Sequence, residues 1–293
     1  MPDVGERKRD YLARIAAGDA PLVGLDSSLS EQGPDLGSPR IRPLTPSSVA
    51  LVAGEGARGS AVGSIWHLLD YRIGLPVTLV RPEDLTAAFL ERHTHLVVAD
   101  GTYSGISGER TDDVARWVEA GGVLILTGRA AQWAQQLDWL PDPDDDADAP
   151  ARYAYGEMAA QDGARQIGGA ILEVELDRTH PIAFGVARDA IGLMRQGRVT
   201  LKAPWNNPFT VVGAYADKPL LSGYLPEGYA EEIANQPAIL AVPKGEGVIV
   251  AFADAPAFRG VWWVGERLLS NAVSFGSVIR GPRARYGPAD AKR

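Results

Sequence analysis

The chain has 293 residues, no cysteine, a formal net charge of −8, and 45% hydrophobic and 23% charged residues. Its length suits one large or two ordinary soluble domains, and its acidic balance argues against a nucleic-acid partner, which asks for a basic face. Missing cysteine excludes disulfides, thiolate nucleophiles and cysteine metal sites, although it does not fix the redox compartment.

The N-terminus is charged, without the apolar centre of a signal peptide, and no apolar run approaches the length of a membrane span. A cytoplasmic location is therefore expected for the chain as written, and an exported one if it is part of a longer precursor. Tyr11, Leu12 and Ile15 share one face of a predicted short helix over 7–17. Residues 18–47 are rich in Gly, Pro, Ser and Asp, so 1–47 reads as an arm or linker. Ser48–Ala53 is the first predicted strand, followed by the loop Gly54-Glu55-Gly56-Ala57-Arg58-Gly59 and a helix over 61–73 with Ile65, Trp66, Leu69 and Ile73 as its apolar stripe. Val77–Val80 is the second strand. Pro82 then opens a turn with Glu83 and Asp84 behind it, and a helix runs from Leu85 to Leu90.

The stretch from His95 to Trp133 organises the rest. Leu96–Ala99 and Val123–Leu126 are continuous apolar runs, as in strands buried on both faces of a parallel sheet. Between them Val114, Trp117 and Val118 recur at helical spacing, and Gly121-Gly122 ends that helix. Four β-α units in series predict a doubly wound parallel sheet. After a helix through 130–137, the run from Pro141 to Asp148 is acidic. It lacks the glycine and distal glutamate of a calcium loop and reads as a solvated turn. From about residue 150 the pattern becomes β-rich, with expected strands at Ala170–Leu176, Arg198–Leu201, Thr210–Tyr215, Leu220–Tyr224, Ala238–Val242 and Gly247–Ala253. Trp262–Phe275 is a final amphipathic helix, with Trp263, Leu268, Leu269 and Val273 as expected core contacts. The domain is thus expected over 48–280, with a tail over 281–293.

The chemistry is sparse. Four histidines are present, His67, His93, His95 and His180. None forms a zinc-binding spacing, although His93 and His95 would share a strand face. No G-x-S-x-G elbow is present. The glycine loop spells G-x-G-x-x-G between a strand and a helix, but Glu55 would repel a pyrophosphate and no acid follows the second strand, so a plain tight turn competes. Asp100, Asp254 and Glu266 could converge near the carboxyl edge of the sheet for acid–base work, or could pair with arginines such as Arg259 and Arg267. Ligands of such sheets bind beyond the carboxyl ends of the strands. Asp100, Thr127, Asp254 and Arg259 are therefore the candidate ligand-binding residues, and no catalytic residue, metal or cofactor is expected.

Several segments in order carry a resemblance. They include Asp35–Arg40, Val49–Gly54, Trp66–Asp70, Thr94–Val98, Trp117–Gly122, Thr179–Gly185, Leu221–Leu225 and Phe252–Gly260. Over about 25–280 the chain resembles the C-terminal region of large bacterial zinc carboxypeptidase-like proteins, which append a domain of class I glutamine amidotransferase-like fold to a metallopeptidase domain. Trp117–Gly122 also looks like trimerisation domains of some β-galactosidases. The resemblance implies that fold with an additional β-rich portion, and a non-catalytic accessory role beside a carboxypeptidase-like catalytic domain in cis or in trans. The zinc ligands of that family lie upstream of the matching region, and the amidotransferase cysteine is missing here. The alternative is an independent small-molecule binding protein, or a hydrolase of unfamiliar design, using the carboxyl edge.

Overall fold

The computed structural model describes residues 26–38, 46–142, 154–157, 167–204 and 206–279, with a few single positions elsewhere. The expected helix over 7–17, the acidic run beyond Asp142 and the tail over 281–293 lie outside the described residues. The chain divides into two compact units, Met1–Pro43 and Leu44–Arg293. In the first, Leu36 N–H donates to the Ser28 carbonyl and Ser30 N–H to the Asp35 carboxylate, closing a short loop.

The second unit is built on one nine-stranded sheet. Its strands are β1 (Val49–Val52), β2 (Val77–Val80), β3 (His95–Val98), β4 (Val123–Thr127), β5 (Ala170–Leu176), β6 (Ala190–Arg195), β7 (Val211–Gly223), β8 (Pro237–Lys244) and β9 (Gly247–Phe252). The order is β2-β1-β3-β4-β9-β8-β7-β5-β6. The first five in that order are mutually parallel, and the pairings from β9 onward through β8, β7, β5 and β6 are antiparallel. The β-rich portion expected after residue 150 is thus an antiparallel extension of the same sheet. The main helices are α1 (Gly59–Trp66, continued by a π-helical turn over His67–Arg72), α2 (Ala87–Leu90), α3 (Glu109–Glu119), α4 (Arg129–Gln135), α5 (Tyr229–Ile233) and α6 (Trp263–Phe275).

The period-2 alternation of strands divides the apolar runs between two cores. Leu51, Val97 and Ile125 face a layer containing Ile65, Leu68 and Leu69 of α1 and its π turn and Leu268, Leu269 and Val273 of α6. Val52, Leu96 and Leu126 face Val114 and Val118 of α3 and Ala130, Ala131 and Trp133 of α4. Helices on both faces make the sheet doubly wound, in agreement with the expected fold class. Among the described residues no helix is long and apolar enough to cross a membrane.

Four expectations change. Trp66, Ile73 and Trp263 are 39%, 49% and 74% exposed, so the first and last helices bury narrower stripes than their sequences suggest. The segments 210–215 and 220–224 join in the single long strand β7, which crosses register shifts against β5. Residues 198–201 form no strand. Val199 and Leu201 are buried, and the carbonyls of Val199 and Thr200 accept from the side chains of Arg195 and Gln135. Those side chains replace a strand ladder as partners for buried backbone. The edge strand β6 has no counterpart among the expected strands.

Candidate functional site

The carboxyl ends of β1, β3, β4, β6 and β9 share one edge, and the loops leaving them form a cleft. The loop after β1 leans on the loop after β3. Thr102 N–H donates to the Gly56 carbonyl, Arg58 N–H donates to the Asp100 carbonyl, and Ala57 bridges Gly101. A Cβ on Gly56 would stand 2.3 Å from the Thr102 carbonyl oxygen, so its glycine is explained by this close approach of two loops. The N–H groups of Ala57 and Arg58 are taken within the protein. The G-x-G-x-x-G run makes a tight turn, and the two amides of the loop before Gly59 are not offered to a phosphate.

Asp100 is the pivot of the edge. One carboxylate oxygen accepts from the Arg129 backbone N–H and its Nε, both at 3.1 Å. The other accepts from Arg58 Nη1 at 2.9 Å. Gly128, between β4 and α4, has φ 57° and ψ −132°. Sharp strand-to-helix turns of this kind seat the nucleophile of α/β hydrolases. Here a Cβ would stand 2.9 Å from Asp100 Oδ1 and 3.0 Å from Asp100 Cγ. The space that a side chain would need is filled by the aspartate.

Two adjoining hollows flank Asp100. One, of about 270 Å³, is lined by Arg58, Ser60, Ser64, Thr127, Phe258 and Arg259 among others. The second, of about 300 Å³, includes Arg129, Gln132, Arg198, Val199 and Asp254. Arg58, Asp100, Gln196 and Ala255 line both. Each is at the small end of ligand pockets.

Three of the four expected site residues, Asp100, Thr127 and Arg259, line the same hollow. Thr127 is 2% exposed at the end of β4. Asp254 lines the adjoining hollow, but its charge is not offered to it. Its side chain is 2% exposed and its oxygens accept from Arg195 Nη1 at 3.0 Å and the Tyr215 hydroxyl at 2.7 Å. Arg195 also donates to the Val199 carbonyl and the Tyr229 hydroxyl. Burial pushes the Asp254 carboxyl above its ordinary range, with Arg195 opposing. Burial also works against the Arg195 charge, but Tyr215 and Asp254 outweigh it and hold the guanidinium above its usual value. This is a buried, mutually paired cluster supporting the wall of the cleft, in which Arg195 Nε has no hydrogen-bond partner among the described residues.

The expected convergence of Asp100, Asp254 and Glu266 does not occur. Asp100 pairs with Arg58 and Arg129, Asp254 with Arg195, and Glu266 with Arg72 away from the cleft lining. Neither Arg259 nor Arg267 is a partner of these acids. Arg259 makes no ion pair among the described residues; its guanidinium carbon lies 5.1 Å from the Phe258 ring centre. Its φ of 51° is a left-handed conformation uncommon outside glycine. His93 bonds the Phe89 carbonyl and His95 bonds Thr94, so the two have separate partners. Among the described residues no three His, Asp or Glu side chains are grouped to hold a metal ion. His180 accepts from Ile182 N–H and caps the turn that Pro181 opens.

The residues missed from sequence are Arg58, Arg129, Arg195, Gln196 and Arg198. Three of them follow strand ends at this edge: Arg58 after β1, Arg129 after β4 and Arg198 after β6. That positional pattern, shared with Arg259 after β9, is the signal by which they could have been found.

The architecture is that of the class I glutamine amidotransferase-like fold. Among solved structures, cytoplasmic protein STM1381 from Salmonella typhimurium LT2 is similar at 14% identity, over 78% of this chain and 99% of that one, with a TM-score of 0.50. ThuA-like proteins from Parabacteroides merdae ATCC 43184 and Bacteroides uniformis ATCC 8492 are 11% and 12% identical, cover 82% and 83% of this chain and 92% and 96% of their own, and each give a TM-score of 0.49. At 14% identity the likeness to STM1381 is one of fold. No protein-family model and no curated protein matches the chain.

Proposed function

We propose that residues 44–293 form a non-catalytic binding module that takes an anionic small molecule in the carboxyl-edge cleft. The observation that carries this is Asp100 filling the side-chain space of Gly128, which leaves the elbow without a nucleophile. Around it Arg58, Arg129, Arg198 and Arg259 line the two hollows. Arginine forks suit oxyanions, and a basic cleft on a chain of net charge −8 draws anions to one place. The test is binding without turnover. Short carboxylates should bind saturably, while esters, amides and peptide C-termini remain intact. Ester or peptide hydrolysis that disappears in an Arg259→Ala variant would overturn the non-catalytic role.

The sequence resemblance adds a second function, that of accessory to a carboxypeptidase-like catalytic domain. What favours it is the same glycine elbow, which leaves chemistry to another segment or chain. Calorimetric titration with such a domain tests it. Absence of binding heat, together with unchanged peptidase activity in the mixture, would remove it.

A further inference from the structure

The cleft carries cationic groups at both ends and an anion in the middle. Arg259 lines only the hollow beside α1, where Ala61, Ile65, Pro256 and Phe258 supply an apolar wall. Arg129 and Arg198 line only the hollow beside α4, with Gln132 and Gln196 nearby. Asp100 lies in the wall that both share and holds Arg58 and Arg129. Arg198 has a partner in Glu232 at a long 3.5 Å, with both side chains exposed, and its guanidinium carbon lies 4.5 Å from the Tyr229 ring centre, so one exposed ion pair and one ring contact hold it.

From this arrangement we infer that the cleft selects a short dicarboxylate, one carboxylate on Arg259 and the other on Arg198 and Arg129. The inference rests on the anion-binding role proposed above and specifies its ligand. Carboxylate is favoured over phosphate by the planar shape of the charged donors. Phosphate sites gather free N–H groups of glycine loops and helix starts. Here Ala57 and Arg58 N–H are bonded within the loops, Gly128 N–H donates to Phe252 and Arg129 N–H to Asp100. The amides of Gly59 and Ser60 at the start of α1 keep no such partner among the described residues, but the charged donors of both hollows are guanidinium forks, and these match a planar carboxylate. The apolar wall beside Arg259 would receive the methylene chain between the two charges. Asp100 acts as a built-in competitor: it occupies two of the arginines and repels any anion that lies centrally rather than at the ends.

The experiment measures binding of glutarate, butyrate and inorganic phosphate to the full chain by calorimetry, with cleft resonances followed by NMR. Glutarate should bind at least about tenfold more tightly than butyrate, the factor for one added charge-assisted pair. Arg259→Ala and Arg198→Ala should each bring glutarate down to the butyrate level, while Asp100→Asn should tighten it. Melting curves of each variant check that the fold is kept, and Arg259→Lys, which keeps the charge but loses the fork, should lie between the wild type and Arg259→Ala. Equal binding of glutarate and butyrate, or phosphate binding tighter than both, overturns the dicarboxylate inference and leaves the anion site standing. Failure of all three probes to move any cleft resonance overturns the anion site itself.

Discussion

Arg259 and Arg195 show how differently one residue type serves the same edge. Arg195 is fully buried with four oxygen partners, so removing it strands the Asp254 carboxylate. Losing one member of a buried pair costs about 3–5 kcal/mol, and Arg195→Met should show that loss in urea unfolding. A variant as stable as wild type would mean that Asp254 is protonated or hydrated. Arg259 has no such role: Arg259→Lys should leave the melting temperature unchanged, since no ion pair among the described residues depends on its fork. A clear drop in melting temperature would show a structural partner and would count against the ligand site. His95 adds a pH dependence. It is 2% exposed, and burial pushes its pKa from 6.5 down to about 4. The folded state resists a proton that the unfolded state accepts, so its contribution is complete above pH 6.5 and is lost as pH falls toward 4. The loss at full extent is on the order of 3 kcal/mol. Unfolding free energies at pH 7 and pH 4.5 should converge in a His95→Val variant relative to wild type; identical pH slopes would show that this imidazole is hydrated.

At the scale of elements, sequence carried the parallel half well and the extension poorly. Val77–Val80 and Ala170–Leu176 match their observed bounds because apolar runs or alternation are bracketed by turn residues. β6 escaped because Gly192 and an outlying Arg195 interrupt its pattern, and three of the four partners of Arg195 lie 20 to 59 residues away in sequence. The stretch 198–201 looked like a strand because Val199 and Leu201 alternate, yet its backbone is satisfied by side chains. At the site, Asp100, Thr127 and Arg259 were legible from strand-end position alone. Which arginine met which acid was not, because those pairings are fixed by loop packing. Trp117 tests the helix face inferred from spacing. It is half-buried against the second core, and its indole N–H donates to the His93 carbonyl. Trp117→Ala should cost about 3 kcal/mol, the low end for an aromatic truncation. An unchanged denaturation midpoint would place the indole in solvent.

At the scale of the whole molecule, the continuity of the sheet decides how residues 44–293 unfold. β9 is paired in parallel with β4 and antiparallel with β8, so it joins the parallel half to the antiparallel extension. The start of β9 also lies directly against the end of α3: a Cβ on Gly247 would stand 2.1 Å from the Val118 carbonyl oxygen and 2.3 Å from that of Gly122. One apolar cluster runs from Leu51 and Ile125 through Val250 to Leu172 and Leu193 without a break. A boundary near residue 150 would need solvated polar surface between the halves, whereas the polar groups that meet there, Arg195, Tyr215 and Asp254, are buried and bonded to one another. Amides of β3 and β4 should therefore exchange with solvent through the same global opening as those of β5 and β7. Gly247→Ala forces backbone apart at the junction and should lower that shared opening energy by about 3 kcal/mol, as overpacking does when the neighbours cannot yield. Because the junction belongs to both halves, the reduction should reach β5 and β7 as fully as β3 and β4. If native-state hydrogen exchange instead showed β5 and β7 opening at their own lower energy, untouched by Gly247→Ala, the extension would be a separate cooperative unit, and the cleft wall supplied by Arg198 and Val199 would open independently of the wall supplied by Asp100 and Thr127.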